Sequence, residues 1–170
     1  TLWADVAPPL LIGTHGNVVH PDTLQNITYA NIDILDHNEM PINYQGCMSI
    51  DAGDENLVKN VTFKDIRVED FRCGQLVNLR VFFNKKYCKA PGRGIDNVSF
   101  KNITYNGSHA ATSIIDGYDS SRIIKNITFD NLIINGLKIT DDMPSKPKWY
   151  EASDMAGFYV GNHVKDIHFK

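Results

Sequence analysis

Strong helix formers are scarce in this chain of 170 residues, which holds 4 Glu, 9 Ala and 10 Leu. That scarcity nearly excludes a helix bundle. No apolar run reaches the ~18 residues of a transmembrane helix, and Thr1 does not open a signal peptide. The 3 cysteines (Cys47, Cys73 and Cys88) are odd in number and lack CxxC spacing, so neither a disulfide framework nor a zinc site is indicated. They read as small buried hydrophobes. Surplus positive charge is absent too. A net charge of −3 argues against nucleic acid or an anionic membrane as the main partner.

What the chain has instead is 16 Asn, 16 Asp, 12 Gly and 18 Ile. Asn, Asp and Gly suit turns and left-handed backbone, and Ile suits strands, so an all-β protein with many turns is expected. The 42% hydrophobic content excludes disorder, and the length suffices for one domain.

One phrase is repeated. It runs Asn26-Ile27-Thr28-Tyr29-Ala30-Asn31-Ile32-Asp33-Ile34, then recurs from Asn60, Asn97 and Asn126 and begins again at Asp166. Ile27 and Tyr29 share a face, as do Ile32 and Ile34, but the step from 29 to 32 is odd. A period-2 strand keeps both pairs inside only if it bends between them. Asn31, Asp65, Asn102 and Asn131 occupy that bend, and Asn and Asp tolerate left-handed angles. A second strand family aligns Leu10–Gly13, Met48–Asp51, Val77–Arg80, Ser113–Asp116 and Phe158–Gly161. Phrase spacings of 34, 37, 29 and 40 residues are too uneven for a propeller and suit a stack whose loops protrude from corners. The expected architecture is a right-handed, single-stranded parallel β-helix of about five coils across residues 1–170, with a protruding loop at 140–155. Thr1-Leu2-Trp3 reads as mid-strand, so the chain is expected to be a C-terminal portion of a larger β-helix domain. The same uncapped first coil allows end-to-end association.

Asn26, Asn60, Asn97, Asn102, Asn106 and Asn126 fit the N-glycosylation pattern. Five of them fall inside the repeated phrase, where a corner Asn and an outward Thr or Ser are wanted structurally, and that reading is preferred. The second strands place Gly13, Asp51, Arg80, Asp116 and Gly161 in one column, with neighbours ~4.8 Å apart. Two readings stand: an acidic cleft for a sugar, or an ion-paired ladder in which Arg80 lowers the pKa of both carboxylates. Flanked by glycines, His15 can serve as a base, as a donor to a sugar or as a plain turn residue. His37, His109 and His168 read as loop or surface residues. Asp51–Glu55 lacks the oxygen spacing of a calcium loop, and no metal is expected. Trp149 and Tyr150 suit a sugar ring or a cover for the edge.

These phrases, with Leu2-Trp3-Ala4-Asp5-Val6-Ala7-Pro8-Pro9, Ile12-Gly13-Thr14-His15-Gly16, Tyr44-Gln45-Gly46-Cys47 and Ala90-Pro91-Gly92-Arg93-Gly94-Ile95, resemble bacterial proteins grouped with polygalacturonases in glycoside hydrolase family 28. The resemblance runs to about Ile139. It implies a pectin-lyase-like solenoid, a periplasmic or secreted location, a polysaccharide substrate and inverting hydrolysis without a cofactor. The family's aspartate cluster has no counterpart here and would fall before Thr1, leaving this chain alone inactive. His15, Asp51 and Asp54 are then the candidate catalytic residues, and Arg80, Arg93, Asp116 and Tyr118 the candidate substrate-binding ones. A non-catalytic carbohydrate-binding or surface module is the alternative.

Overall fold

The computed structural model describes residues 1–4, 6–40, 45–143, 149–152 and 155–170. Among them are fifteen strands and no helix, so the chain is all-β and built on parallel sheets. Each complete phrase forms one long strand: Thr23–His37, Leu57–Val68, Gly94–Tyr105 and Ile124–Ile134. These strands lie in sequence order and pair in parallel, and Val164–Phe169 continues the row. Leu2–Ala4 pairs with the far end of Thr23–His37, and Leu137–Ile139 returns antiparallel on Ile124–Ile134. Register follows the repeat, with Ile27, Val61, Val98, Ile127 and Ile167 opposite one another.

The parity argument explains why these strands curve. Val58, Val61, Phe63, Ile66 and Val68 are all buried, which requires odd steps from 58 to 61 and from 63 to 66. The bend expected at Asn31, Asp65, Asn102 and Asn131 is present. A second stands at Asn26, Asn60, Asn97, Asn126 and Asp166, and all nine residues have φ between 53° and 64°. One left-handed residue resets which side of the strand faces inward, and Asn or Asp takes that conformation at least cost after glycine. The amides then bond from strand to strand. Asn60 Nδ2 donates to Asn26 Oδ1 (3.1 Å) and Asn97 Nδ2 to Asn60 Oδ1 (2.8 Å). Along the other bend Asn102 donates to Asp65 (2.9 Å) and Asn131 to Asn102 (3.1 Å). Five of the six glycosylation-pattern asparagines are thus bend residues.

Inside, the same position of every phrase supplies a ring. Tyr29, Phe63, Phe100, Phe129 and Phe169 stack with centroids 5.3, 4.9, 4.4 and 4.5 Å apart and planes within 13°. Parallel, in-register strands allow this, because identical residues fall one strand spacing apart.

The second strand family forms a shorter sheet of Leu10–Gly13, Met48–Ala52, Val77–Val81, Ser113–Asp116 and Met155–Val160, all parallel. Ile12, Ile50, Leu79 and Ile115 point inward and join one core with the phenylalanines. Each such side chain contributes roughly 1.5–3 kcal/mol on burial. The segment 140–155, expected to be a loop, contains a strand: Trp149–Ala152 pairs antiparallel with Met155–Val160. The Trp-Tyr pair that marked it as a covering loop is also strong strand sequence. Residues 144–148 and 153–154, and the side chains of Trp149 and Tyr150, lie outside the described residues.

Candidate functional site

Two features of the short sheet decide where its outer face is open. At the start of the strands Ser49 and Asn78 point outward yet are buried. Ser49 Oγ accepts from Gly46 N (2.7 Å), and Asn78 Nδ2 donates to Gln75 Oε1 (2.6 Å), so the segments entering the strands close over them. Leu11 and Tyr159, in the same row, are exposed, so this cover is confined to the middle strands, and the charged residues gather at the carboxyl ends. There the register sets Gly13 beside Asp51, Asp51 beside Arg80 and Arg80 beside Asp116. Arg80 therefore stands between the two aspartates.

These aspartates meet different surroundings. Asp51 is 1% exposed and its Oδ1 has no hydrogen-bond partner. The segment Asn84–Pro91 folds over the neighbouring turns: Cys88 Sγ lies 3.3 Å from Thr14 O, and Asp54 N donates to Ala90 O (2.8 Å). Burial pushes the Asp51 carboxyl well above the usual carboxylate range, against the opposing pull of Arg80. Asp116 is only half-buried. Its pKa is also raised by burial, with Arg80 and then His163 opposing. The lowering of both carboxylates expected from Arg80 is therefore overturned, since desolvation outweighs the guanidinium at each.

Asp116 opens onto a cleft of about 680 Å³ lined by Arg80, Val81, Phe82, Phe83, Asn84, Lys85, Gly117 and Tyr118. Room for its carboxylate comes from just past the end of Met155–Val160, where a Cβ on Gly161 would overlap Asp116 Oδ1. Tyr118 is 44% exposed. Arg80, Asp116 and Tyr118 thus come together, with Asp51 sealed behind them. Asn84, Lys85 and His163 were not among the candidate site residues, although Asn84 and Lys85 stand in a basic loop and the strand alignment puts His163 in the column of Tyr118.

The remaining candidates lie outside this cleft. Asp54 is buried and holds two turns: Oδ2 accepts from Gly16 N (3.3 Å) and Oδ1 from Lys89 N (2.6 Å). His15 Nδ1 lies 4.0 Å from Asp54 Oδ2 with its ring 67% exposed. Asn56 Nδ2 fixes the turn by donating to His15 O (2.9 Å). Arg93 spends its guanidinium on the carbonyls of Glu55 (2.6 Å) and Asp22 (2.7 Å), bracing backbone at a distance from the cleft. His37, expected at the surface, is fully buried against Phe71, and burial lowers its pKa. Of the cysteines, Cys47 and Cys88 are buried and Cys73 is partly exposed.

Chemically, the cleft offers a carboxyl whose pKa burial raises, two cations and an exposed phenol. Asp116 is its single carboxylate among the described residues. No group of three or more His, Cys, Asp or Glu able to hold a metal occurs among the described residues. No protein-family model, curated protein or solved structure matches the chain.

Proposed function

We propose that the cleft of Arg80, Lys85, Asp116 and Tyr118 binds an acidic sugar residue of a polysaccharide. In this reading the chain winds as a right-handed, single-stranded parallel β-helix of about five coils. It forms part of a periplasmic or secreted, polygalacturonase-like protein of the family 28 type. The repeat, the in-register parallel strands and the left-handed corners support the architecture. The observation that carries the binding is the pairing of two cations with one carboxyl and one exposed aromatic in a single cleft. Guanidinium binds a uronate carboxylate by charge-assisted hydrogen bonds, Tyr118 supplies an apolar face and Asp116 takes a sugar hydroxyl.

Inverting hydrolysis needs an acid and a base roughly 6.5–9.5 Å apart on opposite sides of the bond. With Asp51 sealed, Asp116 is the cleft's one carboxyl among the described residues, so in this reading the cleft contributes substrate binding and not a complete acid–base pair. That burial also favours the second reading, a non-catalytic carbohydrate-binding module. Calorimetric titration with trigalacturonate tests the binding. Arg80→Ala is expected to weaken it at least tenfold, because a hydrogen bond to a charged group contributes about 1.5–3 kcal/mol. Wild-type affinity in both Arg80→Ala and Asp116→Asn overturns the assignment. Release of reducing ends from polygalacturonate separates hydrolase from binding module. End-to-end association belongs to the same proposal: among the described residues, Leu24, Ile27 and Tyr29 are only partly buried along the stretch of Thr23–His37 that Leu2–Ala4 does not pair with. Sedimentation velocity over a range of concentrations reads it.

A further inference from the structure

A second groove, of about 530 Å³, is lined by Trp3, Leu35, Asp36, Asp70 and Arg72, none of which lines the cleft above. Its volume falls within the ~300–1,000 Å³ of small-ligand sites. Trp3 forms one wall. It is a strand residue, paired in register with Asp36, yet 71% exposed. An indole turned outward from a strand is a large, amphipathic surface with only two side-chain torsions to order on binding.

The polar groups opposite are fixed before any ligand arrives. Asp36 is buried; its Oδ1 accepts from His37 N (2.8 Å), and its Oδ2 accepts from Arg72 Nε (2.8 Å) with Arg72 Nη2 2.5 Å from the same oxygen. This anchors a guanidinium whose side chain is 51% exposed. Asp70 is oriented by Ser108 N (3.0 Å), Tyr105 Oη (3.3 Å) and His109 Nδ1 (2.9 Å). Groups held this way bind without the ordering penalty of free side chains.

We infer that this groove is a second saccharide site, taking one neutral pyranose unit with its C–H face on Trp3 and its hydroxyls on Asp70 and Arg72. Charge decides for a neutral sugar. Two carboxylates, Asp36 and Asp70, face one guanidinium, so a uronate or phosphate would meet net repulsion where a hydroxylated ring meets both donors and acceptors. The inference is independent of the acidic-sugar cleft.

The chain has 2 tryptophans, so Trp149→Phe leaves Trp3 as its sole indole reporter. That variant is titrated with xylotetraose, galactotetraose, cellotetraose and trigalacturonate while emission is recorded. A saturable change with at least one neutral tetraose is expected. It should weaken at least tenfold in Asp70→Asn, which keeps the side-chain shape, and persist in Arg80→Ala. Calorimetry on Trp3→Ala checks the same loss without relying on fluorescence. Absence of any response to the three neutral sugars at millimolar concentration overturns the inference. So does full retention of binding in both Asp70→Asn and Trp3→Ala. A response confined to trigalacturonate and abolished by Arg80→Ala also overturns it, and would assign the signal to the cleft instead.

Discussion

Phe100 sits third in the internal row of rings, and removing it should cost more than removing any ring at the end. It is fully buried, with Phe63 4.9 Å away on one side and Phe129 4.4 Å away on the other, both stacked nearly parallel to it. A buried Phe removes roughly 150–250 Å² from water, which at about 25 cal/mol/Å² gives an upper bound near 4–6 kcal/mol. Measured Phe→Ala changes in cores fall at about 3–5 kcal/mol, because cavity and transfer costs combine with partial collapse. Collapse is hindered here, since each neighbouring ring is fixed by its own strand and by the next ring in the row. Phe100→Ala is therefore expected to lose about 4 kcal/mol, a large part of a stability of about 5–15 kcal/mol. Tyr29→Ala is the control: Tyr29 has one stacked neighbour and is partly exposed, and about 1–2 kcal/mol is expected from the smaller buried area. Urea unfolding followed by far-UV circular dichroism gives both values. Equal losses for the two variants, or a Phe100→Ala loss below about 1.5 kcal/mol, would refute the claim that the row of rings is a rigid part of the core.

Three further outcomes follow from bends, buried charge and the cleft. Asn97→Ala should lose about 1–2 kcal/mol by urea unfolding, because alanine pays for the left-handed conformation that Asn97 holds at φ 58°, whereas Asn97→Gly should lose less. Asp51 has a folded pKa above its ordinary 3.8, so as pH rises past 3.8 the unfolded chain releases a proton that the folded chain retains. Its contribution to stability therefore falls from pH 3.8 up to the raised folded pKa and is level beyond. Asp51→Asn should gain on the wild type progressively across that window, and unfolding midpoints at pH 4, 5.5 and 7 that shift in parallel for both would contradict this. Gly161→Ala should displace the Asp116 carboxylate, since its Cβ would occupy the place of Oδ1, and weaken trigalacturonate binding with little change in melting temperature. Unchanged affinity in calorimetry would show that Asp116 does not touch the ligand.

Much of the fold was legible because its rules are local. Alternation of apolar residues, interrupted by an odd step at Asn or Asp, specifies strand, face and bend within about ten residues of sequence. The bend at Asn60, a corner position of the phrase, obeys the same parity rule as the one at Asp65, since Val58 and Val61 are both inside. Register was legible too: the second strands align by their apolar alternation between successive phrases, so Arg80 between Asp51 and Asp116 could be placed without coordinates.

What the tertiary structure alone decided is which members of one column meet water. Asp51 and Asp116 have the same residue type and the same position on their strands, yet one is sealed and the other lines a cleft. The difference comes from Asn84–Pro91, more than thirty residues beyond Asp51, closing on the turns that carry Thr14 and Asp54. Likewise, the sequence by itself marks Arg93 as a cation near a turn, and only packing turns it onto the carbonyls of Asp22 and Glu55. Strand and bend are set by neighbours along the chain. Burial, and with it protonation and access, is set by loops that arrive from distant sequence, and no local pattern encodes where they settle.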